Sequence, residues 1–355
     1  MIHRWVPDPP SADVEAALAR LAALDDVAHI AVMPDVHLAH DVCIGTVVAT
    51  RRWLLPQAIG GDVGCGVATM RMAGEAAAVK AHGERILQAL AGAVPIHRHR
   101  HRQPVVPLDG PLGRLARREG AVQMGTVGRG NHFLELQADD QGQLWVMIHT
   151  GSRAMGPAIQ AHHREGAVRR DGFDRIDAES DAGQAYLRDL AWAEAYATES
   201  RQRALAAAAG VLVDVLRIDP EPDTLVECNH NHVRRIDGLW VHRKGAISAR
   251  PGEAGLIPGS MGDPTFHVEG RSCAEALWSS SHGAGRQLSR TEARQTIRAS
   301  QLRRRLRGVC FDRRRAARLT EEAPEAYKDI GAVMRAQKAL TRVVRRVRPV
   351  LCHKG

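Results

Sequence analysis

Apolar residues recur at helical spacing over residues 13–24, directly after the polar Ser11, and the pattern then changes to apolar, β-branched runs at 27–33 and 42–50. A 3.6-residue period buries one stripe of a helix, whereas a short continuous apolar run suits a strand buried on both faces. The same reading predicts strands at 67–72, 132–137, 144–149, 225–228, 238–243 and 255–257. Helices are predicted at 75–93, 153–166, 184–209, 291–307 and 324–347. Residues 95–111, with several prolines and the His-Arg alternation of 97–102, predict an exposed, disordered surface loop. No repeat of fixed period and no clean linker interrupts the chain. The predicted architecture is α/β (α+β), one domain over 1–355, with sheets surrounded by helices and glycine-rich loops carrying the chemistry.

Composition sharpens this picture. Hydrophobic residues make up 44% of the 355 and charged residues 25%, enough apolar surface for a core, which excludes global disorder. The longest apolar candidate, 204–216, is broken by Gly210 and Asp214 and is too short to cross a bilayer. The first eight residues lack a basic segment followed by an apolar run, so no secretory signal and no membrane partner are expected, and the predicted location is cytoplasmic. Six scattered cysteines give no disulfide framework and are expected free or metal-bound.

The formal charge of +9 comes mostly from arginine, concentrated at 303–305, 313–315 and 342–348. Guanidinium groups suit phosphate, so an anionic polymer is one reading, and solvated helix faces are the other.

The chemistry concentrates in glycine loops. Gly60-Gly61-Asp62-Val63-Gly64-Cys65-Gly66 leaves Asp62 and Cys65 as its only polar side chains, three apart. Three more segments put an imidazole beside a turn: Asn131-His132 at a strand start, His149-Thr150-Gly151-Ser152-Arg153 at a strand end, and Cys228-Asn229-His230-Asn231. Thiolate, carboxylate and three imidazoles together predict a metal site for Zn²⁺ or another late divalent ion, with Mn²⁺ admitted by the carboxylate. One thiolate could also serve two ions. In Ser281-His282-Gly283-Ala284-Gly285-Arg286, small neighbours leave His282 open to a bulky ligand, as general acid/base or as a nucleophile toward phosphorus.

These segments resemble, in order, the motifs of the RtcB family of RNA-splicing and RNA-repair ligases. The match runs from Met33-Pro34-Asp35-Val36-His37 through the loops above, Arg243-Lys244-Gly245-Ala246 and Pro258-Gly259-Ser260-Met261-Gly262 to the terminal Lys354-Gly355. The resemblance implies a GTP- and Mn²⁺-dependent ligase that joins an RNA 3′-phosphate or 2′,3′-cyclic phosphate to a 5′-hydroxyl through a histidine-GMP intermediate on His282. It implies two Mn²⁺ ions, one on Asp62, Cys65 and His132 and one on Cys65, His149 and His230, with Zn²⁺ as a substitute. It assigns Asn131, Phe133, Glu135, Ser260, Tyr327 and Lys354 to the guanosine nucleotide, and Lys244, Arg286, Arg290 and Arg153 to phosphate or RNA. Asp35 and His37 are expected beside the metal ligands or at the RNA end.

Departures from the family pattern occur at Ala39-His40-Asp41, Arg129, His232 and Thr265. The compact build resembles the short paralogues tied to repair, so cleaved ribosomal or transfer RNA is the expected substrate, acted on by a monomer with an archease-like activator or a release-factor-like partner. The competing readings are a metal-dependent phosphodiesterase or phosphatase on the same dinuclear site, and an inactive RNA-binding paralogue.

Overall fold

The computed structural model describes residues 1–355 and is a mixed α+β fold built on two main sheets. The larger sheet has eight strands. Along its path lie Pro220–Asn229, Gly66–Glu75, Gln143–Thr150, Phe133–Asp139, Thr341–His353, Thr265–Gly270 and Ala254–Ile257, and Cys310–Phe311 pairs in parallel beside Thr341–His353. Successive side chains on a strand face opposite sides. Ala68, Leu134 and Ile148 therefore pack with Ile86 and Leu90 of helix Ala77–Ala93 and with Ala208 and Leu212 of helix Asp181–Leu216. Their neighbours Val67, Phe133 and Met147 pack with Leu302, Leu306 and Leu319 on the other side. Both faces are covered, which is why these strands read as continuous apolar runs.

The smaller sheet has five strands in the order Ile2–Arg4, Val27–His37, Ile44–Thr50, Leu239–Lys244 and Asn231–Ile236. The chain crosses from one sheet to the other at His230, between Pro220–Asn229 and Asn231–Ile236. Register then gathers one end of the large sheet: Gly66 pairs with both Asn229 and Thr150, and Phe133 with His149. Cys65, His132, His149 and His230 thereby meet at one place.

Most predicted elements stand where the periodicity puts them, and four do not. The helix expected at 324–347 is a short turn, the helix Ile330–Ala336, and the strand Thr341–His353, which lies between Phe133–Asp139 and Thr265–Gly270. Its Arg-rich stretch carries β-branched Val343, Val344 and Val347, and the last is fully buried. The helix expected at 291–307 is two, Arg290–Thr296 and Ala299–Arg305, because Ile297 is extended. The helix expected at 184–209 grows to Asp181–Leu216, started by the Ser180 hydroxyl accepting from Gly183 N. Residues 95–111 form no helix or strand, yet the segment is held: Gly128 N donates to Ile96 O at 2.8 Å and His99 N to Val122 O at 2.7 Å. Disorder there is overturned by those bonds. All six cysteines are free, and no helix is long and apolar enough to cross a membrane.

Candidate active site

Cys65 is the hub of the site. Its Sγ lies 3.3 Å from Nε2 of His132 and 3.3 Å from Nε2 of His149, and the three donor atoms all fall within 4.8 Å of one another. His132 Nε2 also meets Asp62 Oδ2 at 2.9 Å. His149 donates its Nδ1 proton to the Asn131 carbonyl at 3.1 Å, which fixes the tautomer and leaves Nε2 with its lone pair toward the thiol. His230 meets His149 edge to face, with ring centroids 5.1 Å apart, and keeps a buried Nδ1 with no protein partner.

The backbone is shaped to allow this convergence. A side chain at Gly151 would place its Cβ 2.4 Å from Asp62 Oδ2, so only glycine lets the carboxylate in. Arg153 takes a left-handed φ of 58°, and its amide donates to Asp62 Oδ1 at 3.2 Å. Behind the loop, the long helix contributes Arg201, which is 1% exposed. Its guanidinium donates to the carbonyls of Gly64 at 2.6 Å and Thr150 at 3.0 Å and pairs with Glu227 at 2.7 Å. One side chain thus ties the loop of Asp62 and Cys65 to the strand end of His149.

Burial, with neighbouring imidazoles, pushes His149 and His230 well below the ordinary histidine range, so both rings are neutral as metal ligands must be. Burial and the adjacent Asp62 carboxylate push the Cys65 thiol well above its usual value. Burial also pushes the Asp62 carboxyl up, but His132, Cys65 and Arg153 outweigh it and hold it below the carboxylate range. A thiolate beside that carboxylate needs a cation, and a thiol, a carboxylate and three imidazoles are the donor set a late divalent ion takes.

His282 follows the short strand Ser279–Ser281, and its ring lies tilted against that of His230, with centroids 4.6 Å apart. Its Nδ1 donates to Asp35 Oδ2 at 2.7 Å, and its backbone N donates to the same oxygen at 3.2 Å. Asp35 is fully buried in strand Val27–His37, where a charged residue is costly unless paired. Sequence reasoning placed Asp35 beside the metal ligands or at the RNA end; the structure places it under His282. The sequence signal was a lone carboxylate inside an apolar strand. His37 reaches back to the Asp35 carbonyl at 2.8 Å, and burial pushes its imidazole down to about 4.

A cavity of about 370 Å³ opens beside His282 and takes in Asn131, Phe133, Glu135, Ser260, Tyr327 and Lys354, the whole set expected for the nucleotide, along with Arg286 and Arg290. Glu135 accepts from Gln137 at 2.9 Å, and burial raises its carboxyl to about 7. Sequence reasoning missed Glu322, which is buried in the cavity wall and binds Lys354 at 3.1 Å, Arg286 at 3.2 Å and the Tyr327 hydroxyl at 2.5 Å. Burial raises its carboxyl, but Lys354, Tyr327, Arg286 and Arg290 outweigh that and hold it below the usual range. No motif marked it, since Glu321-Glu322 reads as a solvated pair.

Arg286 spends its remaining donors on the carbonyls of Leu288 and Glu321, so it braces this wall. Lys244 does not line the cavity, and its Nζ donates to Val42 O at 2.7 Å. Arg153 stays near the candidate metal ligands, its Nε 3.3 Å from Thr126 Oγ1. His232 is buried against Arg243 at 3.1 Å and takes no part in the site.

A family model described as tRNA-splicing ligase RtcB matches residues 17–110 and 111–355. RNA-splicing ligase RtcB1 of Escherichia coli is 34% identical, with 98% of this chain and 95% of that protein covered. RNA-splicing ligase RtcB of Escherichia coli K12 is 33% identical with the same coverage. RNA-splicing ligase RtcB of Mycobacterium tuberculosis is 36% identical over 68% of this chain and 66% of its own length.

Proposed function

The chain belongs to the RtcB family, and on that premise we propose that it is an RNA ligase that joins 3′-phosphate or 2′,3′-cyclic phosphate ends to 5′-hydroxyl ends with GTP. The observation that carries this reading is the Asp35–His282 pair at the mouth of the nucleotide-sized cavity. A hydrolase working on the same metal ligands needs no oriented imidazole facing such a cavity.

Asp62, Cys65 and His132 would hold one Mn²⁺ and Cys65, His149 and His230 a second, and Zn²⁺ fits the same donors. Bound there, the ions would withdraw charge from phosphate oxygens. Glu135 supplies acceptors for the guanine edge, while Lys354 and Tyr327, held by Glu322, form the wall around the base and ribose. Asp35 keeps the proton of His282 on Nδ1, so Nε2 carries the free lone pair. Nε2 bonds to the α-phosphorus of GTP as pyrophosphate leaves, and the Asp35 carboxylate balances the positive charge of the substituted ring. His282 then gives up GMP to the RNA 3′-phosphate, forming a phosphoanhydride; the 5′-hydroxyl attacks the phosphorus of the RNA 3′-phosphate, and GMP leaves as the strand is sealed. A cyclic phosphate is opened by water before this transfer.

The substrate is read as RNA cleaved in damage, on the strength of the altered loop Ala39-His40-Asp41, and residues 1–355 are read as one domain. The test is sealing of an RNA nick bearing 3′-phosphate and 5′-hydroxyl ends. Joining that requires both GTP and Mn²⁺ supports the proposal; loss of the terminal phosphate without joining and without GTP would establish the hydrolase instead.

A further inference from the structure

The glycine loop that carries Asn131 and His132 is bordered by a strip of unpaired cations, and we propose that this strip is the docking track for the phosphate backbone of the RNA being sealed. The proposal rests on the ligase reading of the site. The strip is the His-Arg run of residues 97–102, which no family motif includes, together with Arg129, which departs from the family pattern.

Four backbone hydrogen bonds lay residues 95–103 alongside 121–128. Val127 N donates to Pro95 O at 3.1 Å, Gly128 N to Ile96 O at 2.8 Å, His99 N to Val122 O at 2.7 Å and Gln103 N to Ala121 O at 2.7 Å. A segment without helix or sheet is thereby fixed beside the metal ligands. Arg129 Nε lies 3.3 Å from the His97 ring, and Arg129 is three residues before His132. Burial, and then Arg129, Arg315, Arg153 and Arg318 acting through space, push the His97 imidazole below its ordinary value. Guanidinium groups from three separate segments therefore converge around one exposed imidazole.

No counter-charge accompanies them. The chain has no Asp or Glu between Glu84 and Asp109. Arg98, Arg100, Arg102 and Arg129 are exposed and lack a carboxylate at ion-pair distance, whereas Arg305 is paired with Asp263, and Arg314 and Arg315 with Asp312. Like charges held together by backbone bonds repel one another and raise the local potential, which favours a polyanion that brings its own negative charge. Guanidinium forks also match phosphate oxygens in pairs. The strip leads to the loop of His132, so a backbone lying on it delivers its end to the metal ligands.

The test is the salt dependence of binding of a 3′-phosphate RNA, measured without GTP, for the wild type and for Arg98→Gln/Arg100→Gln/Arg102→Gln. Each phosphate contact contributes roughly 0.7 to 0.9 to the slope of log affinity against log salt. The triple variant should lose about two units of slope and bind at least about tenfold more weakly at low salt, and Arg→Lys at the same three positions should keep the slope. Self-labelling with GTP should be the same in the variant and the wild type. Wild-type slope and affinity in the Gln variant would overturn the track, and so would a Lys variant as impaired as the Gln one, because the effect would then lie in the folding of the loop. A wild type that takes no label from GTP would refute the ligase reading alone, since the RNA-binding slopes are read without nucleotide.

Discussion

Asp35 and His282 lie 247 residues apart in sequence and are joined by two hydrogen bonds to a single carboxylate oxygen, one from the ring and one from the backbone. The pair fixes both where the imidazole sits and which nitrogen is free. Asp35→Asn can offer its amide to Nδ1 and so favour the tautomer whose Nε2 carries the proton. Self-guanylylation should fall by about 10²-fold or more, judged against the cost of the same change in a Ser-His-Asp triad. The melting temperature should change little. Rates within threefold of wild type would remove Asp35 from the mechanism.

Cys65 touches both His132 and His149, so its loss is felt by both candidate ions. Cys65→Ala should abolish guanylylation and sealing together and sharply weaken Mn²⁺ binding in equilibrium dialysis. Retention of ordinary Mn²⁺ affinity would return Cys65 to the role of an inert core residue.

Arg201 has its guanidinium on the backbone of both metal-bearing segments. Arg201→Gln removes the guanidinium from Glu227, which keeps only Gln202, and from two carbonyls, a defect that costs about 3–5 kcal/mol when a buried pair is broken. Metal affinity should fall by about 10- to 100-fold, as it does when groups that orient ligands are removed. Urea unfolding and metal titration of the same variant measure both, and a destabilised protein with unchanged metal affinity would confine Arg201 to the fold.

Glu135 gives the pH dependence a sign. Its carboxyl is raised from 4.5 to about 7 by burial, so the folded chain binds this proton more tightly than the unfolded chain. Its contribution to stability is therefore greatest below the unfolded value and is lost as pH rises from about 4.5 to about 7, by roughly 3 kcal/mol in all. Glu135→Gln should flatten the stability profile across that window. An unchanged slope between wild type and variant in urea unfolding would contradict it.

Periodicity alone located the strand that carries His149 and the strands that adjoin Cys65 and His230, because buried strands are continuous apolar runs. It failed at Thr341–His353, where the valines at 343, 344 and 347 fall at helical spacing and only the neighbouring strands impose the extended form. The candidate metal ligands stood out as a chemical set, since a thiol, a carboxylate and three imidazoles all sit at turns. Glu322 and Arg201 were not: one looks like a solvated acid and the other like a surface residue of a long helix. Only burial, which no local pattern encodes, separates them from their exposed counterparts. Asp35 was legible as part of the Met33–His37 motif, but its role was not, because its partner is 247 residues away.

The central claim is that His282 Nε2 is the atom that takes up GMP. Incubation with GTP labelled at the α-phosphate and Mn²⁺, followed by peptide mapping, should place an acid-labile GMP on His282 in the wild type and leave His282→Ala unlabelled. Label retained by His282→Ala, or mapped to a lysine and stable to acid, would contradict the account.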